Sequence, residues 1–119
     1  MRSIIRSTGQ LSELRASIRR DVALPGDDDR FIDDFVTAVN EVAAASLSSS
    51  KADTAPIEVR WIRRTHPRAE LYAEIRNTAG TPTSLLGEGI VSRILCYTVE
   101  RVDVQERIGG SLIAIRARI

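Results

Sequence analysis

A chain of 119 residues, 43% apolar and 28% charged, sets a single domain with a core of its own. The net charge of +1 points to no particular partner and lacks the basic excess expected of a nucleic-acid binder. The single Cys96 leaves no intrachain disulfide and fits a reducing compartment.

No apolar run approaches the length of a membrane span, and Met1 to Leu11 lacks the apolar centre of a signal peptide. The expected location is the cytoplasm. There is no internal repeat.

In chain order, Ser3, Ile4, Ile5 and Arg6 form a short apolar start that reads as an edge strand. Ser7, Thr8 and Gly9 interrupt it and offer a helix cap. Leu11, Leu14, Ile18 and Val22 mark an amphipathic helix, with Arg15 and Arg19 four apart on its flank. Leu24-Pro25-Gly26 stops it. Asp27, Asp28 and Asp29 suit the start of the next helix, where unpaired N–H groups carry partial positive charge. That helix runs through Phe31 to Leu47. Phe31, Phe35, Val39, Val42 and Ala43 make its apolar stripe. Asp34, Thr37, Glu41, Ala45 and Ser48 occupy the opposite face, with Glu41 and Ala45 one turn apart.

Leu47 to Pro56 is small, polar and closed by proline, which reads as a flexible connector. Two strands follow. Ile57, Val59 and Trp61 alternate with Glu58 and Arg60, and Leu71, Ala73 and Ile75 with Tyr72, Glu74 and Arg76. Thr65 to Arg68 lies between them as a hairpin loop. Asn77 to Ser84 is turn chemistry. Leu85 to Val99 reads as a third helix, with Leu86, Ile90, Ile94 and Leu95 on its buried stripe and Gly87 and Gly89 in its first turn. Val102 and Val104 mark a strand, Gly109-Gly110 a hairpin turn, and Ile113, Ile115, Ala117 and Ile119 the last strand.

The order is therefore β-α-α-β-β-α-β-β. Helices lie between hairpins rather than between every pair of strands. The expected class is α+β, a two-layer sandwich with a mixed, mainly antiparallel sheet and its helices on one face.

Three features line up along the chain. Glu41 lies in the middle of a helix. The strand Leu71 to Arg76 runs into Asn77 and a turn with Gly80. Gly87-Glu88-Gly89-Ile90 then opens a helix, and the chain ends in a hairpin. From Leu11 to Ile119 this resembles the anti-sigma factor serine kinases of bacteria, members of the GHKL (histidine kinase-like) ATPase superfamily. In that family the long helix carries a Glu and, four residues later, an Asn that ligates Mg²⁺ through its oxygen. A strand ends in Asp-x-Gly-x-Gly, whose Asp accepts from adenine. A lid loop leads to Gly-x-Gly, where backbone N–H groups meet phosphates. The Glu handles the proton or orients the acceptor.

The resemblance assigns Glu41 as a vestigial base, and Asn77, Gly80, Gly87 and Gly89 as a vestigial nucleotide site. This sequence departs from the pattern at the metal position, which is Ala45. Asn40 lies about 100° away round the helix and does not replace it. Asn77 stands for the Asp, Ala79 and Thr81 for the two glycines of the turn, and the lid is short. Together these changes imply a pseudokinase: the fold retained, no metal bound, ATP binding and catalysis lost. In the family an arginine of the first helix contacts the sigma factor and its antagonist, so Arg15 and Arg19 are the expected partner-binding residues. The implied partners are a sigma factor or an anti-anti-sigma (STAS) protein, with a homodimer as a further assembly. The alternatives are a working serine kinase using Mg-ATP and a non-catalytic structural or dimerisation module.

Plainer readings exist for each residue. Glu41 suits a solvated helix face, Gly87 and Gly89 suit a turn, and Ala45 is a good helix former. His66 is expected to be exposed, and with no second histidine it makes no metal site. Cys96 suits a small core position.

Overall fold

The computed structural model describes residues 1–48, 56–77, 101–107 and 110–119. Its elements in order are β1 (Arg2–Ile5), a single 3-10 turn (Thr8–Gln10), α1 (Leu11–Val22), α2 (Asp29–Ser48), β2 (Ile57–Arg64), β3 (Glu70–Asn77), β4 (Arg101–Arg107) and β5 (Gly110–Arg118). The five strands form one sheet in the order β1-β2-β3-β5-β4. Each of these pairings is antiparallel. The expected α+β class is the one observed. The expected third helix over 85–99, with Cys96, lies outside the described residues.

The period-two pattern of the strands decides which face is buried. Ile57, Val59, Trp61, Leu71, Ala73, Ile75, Ile113, Ile115 and Ala117 all point into the core, and the register places them side by side. A shift of one residue would turn this whole set toward solvent. Both described helices cover this same face. Leu11, Leu14, Ile18 and Val22 of α1 are buried in the same cluster, the four residues that the helical period selects.

For α2 the period underestimates the burial. Ile32, Phe35, Val36, Ala38, Val39, Val42 and Ala43 are buried, whereas Phe31 is only partly so. Between Phe31 and Leu47 only Asp33 is exposed. Asp34, Thr37, Glu41 and Ala45, expected on an open face, are all half-buried. The helix runs on through Ser48, inside the stretch that the composition assigned to the connector. At the other end, Gly110, expected in the turn, belongs to β5 and pairs with Arg107. The β2–β3 hairpin closes over 65–69 as expected, and His66 is exposed.

The link between α1 and α2 is held by the sheet. Gly26 adopts φ 91°, a left-handed backbone that a glycine enters without strain. Asp28 Oδ1 accepts from the Arg30 N–H at 3.0 Å and caps α2. Asp27 does something else. Its two carboxylate oxygens take a forked pair of bonds from Arg63 of β2, at 2.7 and 3.1 Å. Arg63 Nη1 also donates to the Val22 carbonyl at 2.9 Å, which ends α1. Beside it, Trp61 Nε1 donates to Asp21 at 2.8 Å.

The Arg63 bond, the Leu24 N–H bond and the guanidinium charge hold the Asp27 carboxyl below its ordinary value of 3.8. The folded state therefore favours the ionised form. The stability from this pair is complete above the ordinary value and is lost as pH falls through the lower, folded one. We expect Asp27→Asn to be less stable than the parent at neutral pH and to lose less stability on acidification below about pH 4. Urea midpoints measured from neutral pH downward check this. Parallel curves for the two proteins would show that the pair contributes no pH dependence.

Candidate functional site

Four described polar residues are buried: Ser46, Glu70, Asn77 and Ser111. Three of them meet at one end of the core. Asn77 ends β3, and Ser111 lies directly opposite it on β5. Asn77 Nδ2 donates to the Ser46 carbonyl in the last turn of α2, at 3.4 Å. That carbonyl belongs to the last four of the helix, which have no acceptor role within it. Asn77 is thus a side-chain cap for α2, and its amide nitrogen is committed to the backbone. Ser111 Oγ is buried and has no hydrogen-bond partner among the described residues.

The next residue toward the helix start is Ala45, and one turn further back is Glu41, half-buried with its Oε2 shielded from solvent. The fold therefore brings Glu41, Ala45 and Asn77 toward the same end of the molecule. Gly80, Gly87 and Gly89, with Ala79 and Thr81, lie outside the described residues. At the position where the resemblance places the metal ligand, the residue present does not fit a Mg²⁺ ion. The Ala45 side chain is a methyl group, and a hard cation requires oxygen. Among the described residues no group of three or more His, Cys, Asp or Glu could hold a metal.

Arg15 and Arg19 stand on the outer flank of α1, both exposed. Each reaches across to α2. Arg15 Nη1 donates to Asn40 Oδ1 at 2.8 Å, and Arg19 pairs with Asp33. Asn40, unsuited to the metal, has a structural partner instead. The Arg19 and Asp33 side chains are about half exposed, so their pair contributes little to stability. The Arg15 and Arg19 guanidinium groups stay accessible at the surface.

The other arginines near Trp61 are occupied within the chain. Arg63 is drawn inward to Asp27. Arg60 pairs with Glu58 at 2.5 Å, and Arg64 and Arg68 both approach the buried Glu70, at 3.4 and 3.8 Å.

The face of the sheet opposite the helices holds a feature that motif reasoning passes over. Arg64 and Arg116 both lie on the Tyr72 ring, with guanidinium carbons 4.2 and 5.3 Å from its centre. The Tyr72 hydroxyl donates to Glu74 at 2.5 Å. A shallow groove of about 210 Å³ opens there over Leu112 and Ala114. The alternation in β3 and β5 does mark these residues as sharing one face. What it lacks is the strand order, which brings Arg64 and Arg116 to either side of one ring.

This geometry is that of a known fold class. The chain has the fold of the histidine kinase-like (GHKL) ATPase domains. A crystal structure of the RsbU and RsbW domains of Rv1364c from Mycobacterium tuberculosis superposes with a TM-score of 0.73 at 18% identity, over 99% of this chain and 32% of that one. The blue-light activated histidine kinase EL346 of Erythrobacter litoralis gives 0.65 at 14% identity, over 92% of this chain and 41% of that one. Its histidine kinase domain gives 0.61 at 15% identity, over 92% and 63%. The chain thus spans less than two thirds of each of these proteins. No family profile matches it, and no curated protein does. Among the described residues, no helix is long and apolar enough to cross a membrane.

Burial first, then the hydrogen bond and charge of Glu74, push the Tyr72 hydroxyl up to about 12, against the opposing charges of Arg64 and Arg116. In a Tyr97→Phe background, where Tyr72 is the remaining tyrosine, the phenolate absorbance should titrate near that value. Adding Glu74→Gln should bring it down toward 10.0. No movement would mean that burial alone sets it.

Proposed function

We propose that this chain is an anti-sigma-type regulatory domain that works by holding a protein partner, a sigma factor or an anti-anti-sigma protein of the STAS type, without phosphotransfer from ATP. The observation that carries the reading is the chemistry at the end of α2. Ala45 offers no oxygen where the resembled family places its Mg²⁺ ligand, and Asn77 presents an uncharged amide where that family has an Asp. Triphosphate charge would then be met without a protein-held metal. Support for the regulatory side comes from the fold shared with an RsbW domain and from Arg15 and Arg19, exposed on α1. Charged groups at such a surface act mainly on association rate and choice of partner.

A second reading, a working serine kinase that uses Mg-ATP, is favoured by Ser111. A buried hydroxyl with no partner among the described residues, next to Asn77, suits a pocket that still takes a polar ligand. Thermal denaturation separates the two. A ligand at about a hundred times its dissociation constant adds roughly 2.7 kcal/mol of stability, a melting shift on the order of 10 °C for a domain of this size. We expect millimolar Mg-ATP to shift the midpoint by no more than about 1 °C. A shift near the larger figure, abolished by EDTA, would establish the kinase reading. Ala45→Asn then locates the loss. If it restores binding, the metal ligand alone was missing; if not, the pocket itself has changed.

For the partner, the full chain used as bait in native extract should retain a sigma factor or a STAS protein. Arg15→Glu should lower that retention with the circular dichroism spectrum unchanged. Retention of neither class of protein would favour a structural module, and undiminished retention by the variant would remove Arg15 from the binding face.

A further inference from the structure

Arg15 and Arg19 stand one turn apart on α1, and each crosses to a different residue of α2. Arg15 Nη1 donates to Asn40 Oδ1 at 2.8 Å, whereas Arg19 is paired with the Asp33 carboxylate. Asp33 and Asn40 are two turns apart on one side of α2, so both stand on the seam that meets α1. The pairs run in opposite senses along the two helices, 15 with 40 and 19 with 33, as antiparallel packing requires. The two acceptors differ in charge, and that difference separates the two arginines. Asp33 cancels the Arg19 charge where it stands. Asn40 is a neutral amide, so it fixes the Arg15 guanidinium and leaves its charge whole. Among the described residues Arg15 makes no ion pair, and the bond to Asn40 occupies one N–H of its fork. Ser12, one turn earlier, and Ala16, next along the helix, are small and exposed, so nothing on α1 crowds the group.

We propose that Asn40 is a positioning residue for partner recognition, a role that rests on Arg15 being a partner contact. Asn40 holds the charged Arg15 side chain ready to take one carboxylate of the partner protein, and Asp33 keeps Arg19 out of that contact. The guanidinium fork matches a carboxylate through two parallel N–H bonds. A phosphate dianion would call on both arginines, and one of them is already neutralised. A single uncancelled guanidinium charge balances a single carboxylate.

The benefit of Asn40 is one of order. A loose arginine gives up rotamer freedom when a partner fixes it. One already bonded to Asn40 has given up part of that freedom beforehand, so less is lost on binding. This gain appears as slower dissociation, because the charge of a surface group acts mainly on association. Asn40 and Asp33 thus have separable effects, one on how long the partner stays and the other on how fast it arrives.

The probe is the sigma factor or STAS protein that the full chain retains, purified and measured by surface plasmon resonance at low and high salt. Asn40→Ala should weaken binding about threefold to tenfold, the span expected when one long side chain must be ordered on binding, and chiefly through faster dissociation. In an Arg15→Ala background the same change should add nothing. A residue that only supports the helix pair would weaken binding in both backgrounds. Asn40→Asp keeps an oxygen for Arg15 but cancels its charge, so it should slow association and weaken binding about tenfold. Asp33→Asn releases the Arg19 charge and should strengthen binding about threefold, with a steeper dependence on salt. Both bonds are exposed, so melting midpoints should stay within about 3 °C of the parent. If Arg15→Glu abolishes binding while Asn40→Ala binds as the parent does, the partner reading stands and the role of Asn40 is overturned. An equal loss from Asn40→Ala with and without Arg15, or an Asn40→Asp chain that binds as tightly as the parent, overturns it too. An Asp33→Asn chain that binds no better removes the part given to Asp33. Retention of neither class of protein removes the partner reading, and this role with it.

Discussion

The structure depends above all on the near-complete burial of α2. Its side chains meet the sheet on one side and α1 on another, so between Phe31 and Leu47 only Asp33 is exposed. A helix in this setting cannot rotate or slide without exposing Phe35, Val39 or Val42, each fully buried. At about 25 cal/mol per Å² of apolar surface, each such side chain contributes on the order of 2 kcal/mol. That fixed helix determines where Glu41 and Ala45 stand relative to β3. It also brings the Ser46 carbonyl to Asn77, joining the end of the helix to the end of the strand.

The arginines show a second constraint. Of those clustered near Trp61, Arg63 is committed to the link between the helices, and Arg60, Arg64 and Arg68 to carboxylates on the sheet and its hairpin. In the fold these four arginines form neutralised pairs, not a free basic patch. Arg15 and Arg19 differ in kind. They bridge two helices at the surface, where solvent screens their bonds and leaves the groups accessible to another protein.

The two faces of the sheet are thereby given different work. One is closed by the helices and ends in a small polar cluster of Ser46, Asn77 and Ser111. The other carries a charged lattice around Tyr72 with an apolar strip through it. Because antiparallel strands alternate their side chains, each strand supplies both faces at once. A change to the register of β3 would damage the core and the outer lattice together, so both surfaces depend on the same backbone pairing.

The sequence by itself determined the class of fold, the order of the described elements and most of the core. Period-two alternation and the 3.6-residue helical repeat are local consequences of backbone geometry, so Leu11, Leu14, Ile18, Val22 and the inward strand residues are legible without coordinates. The resemblance carried by Glu41, Asn77, Gly80, Gly87 and Gly89 also suggested the ATPase-like fold. Tertiary structure decided what local periodicity cannot. It set the extent of burial round α2, because a helix packed on more than one side needs more apolar surface than one stripe. It assigned Asp27 to Arg63 and Asp28 to the helix cap, though both stand in one acidic run. It made Asn77 a cap for a helix that ends some thirty residues earlier. It gathered Arg64, Tyr72 and Arg116 from three strands. Each of these rests on a contact between residues distant in sequence, where distance and direction, not composition, determine the interaction.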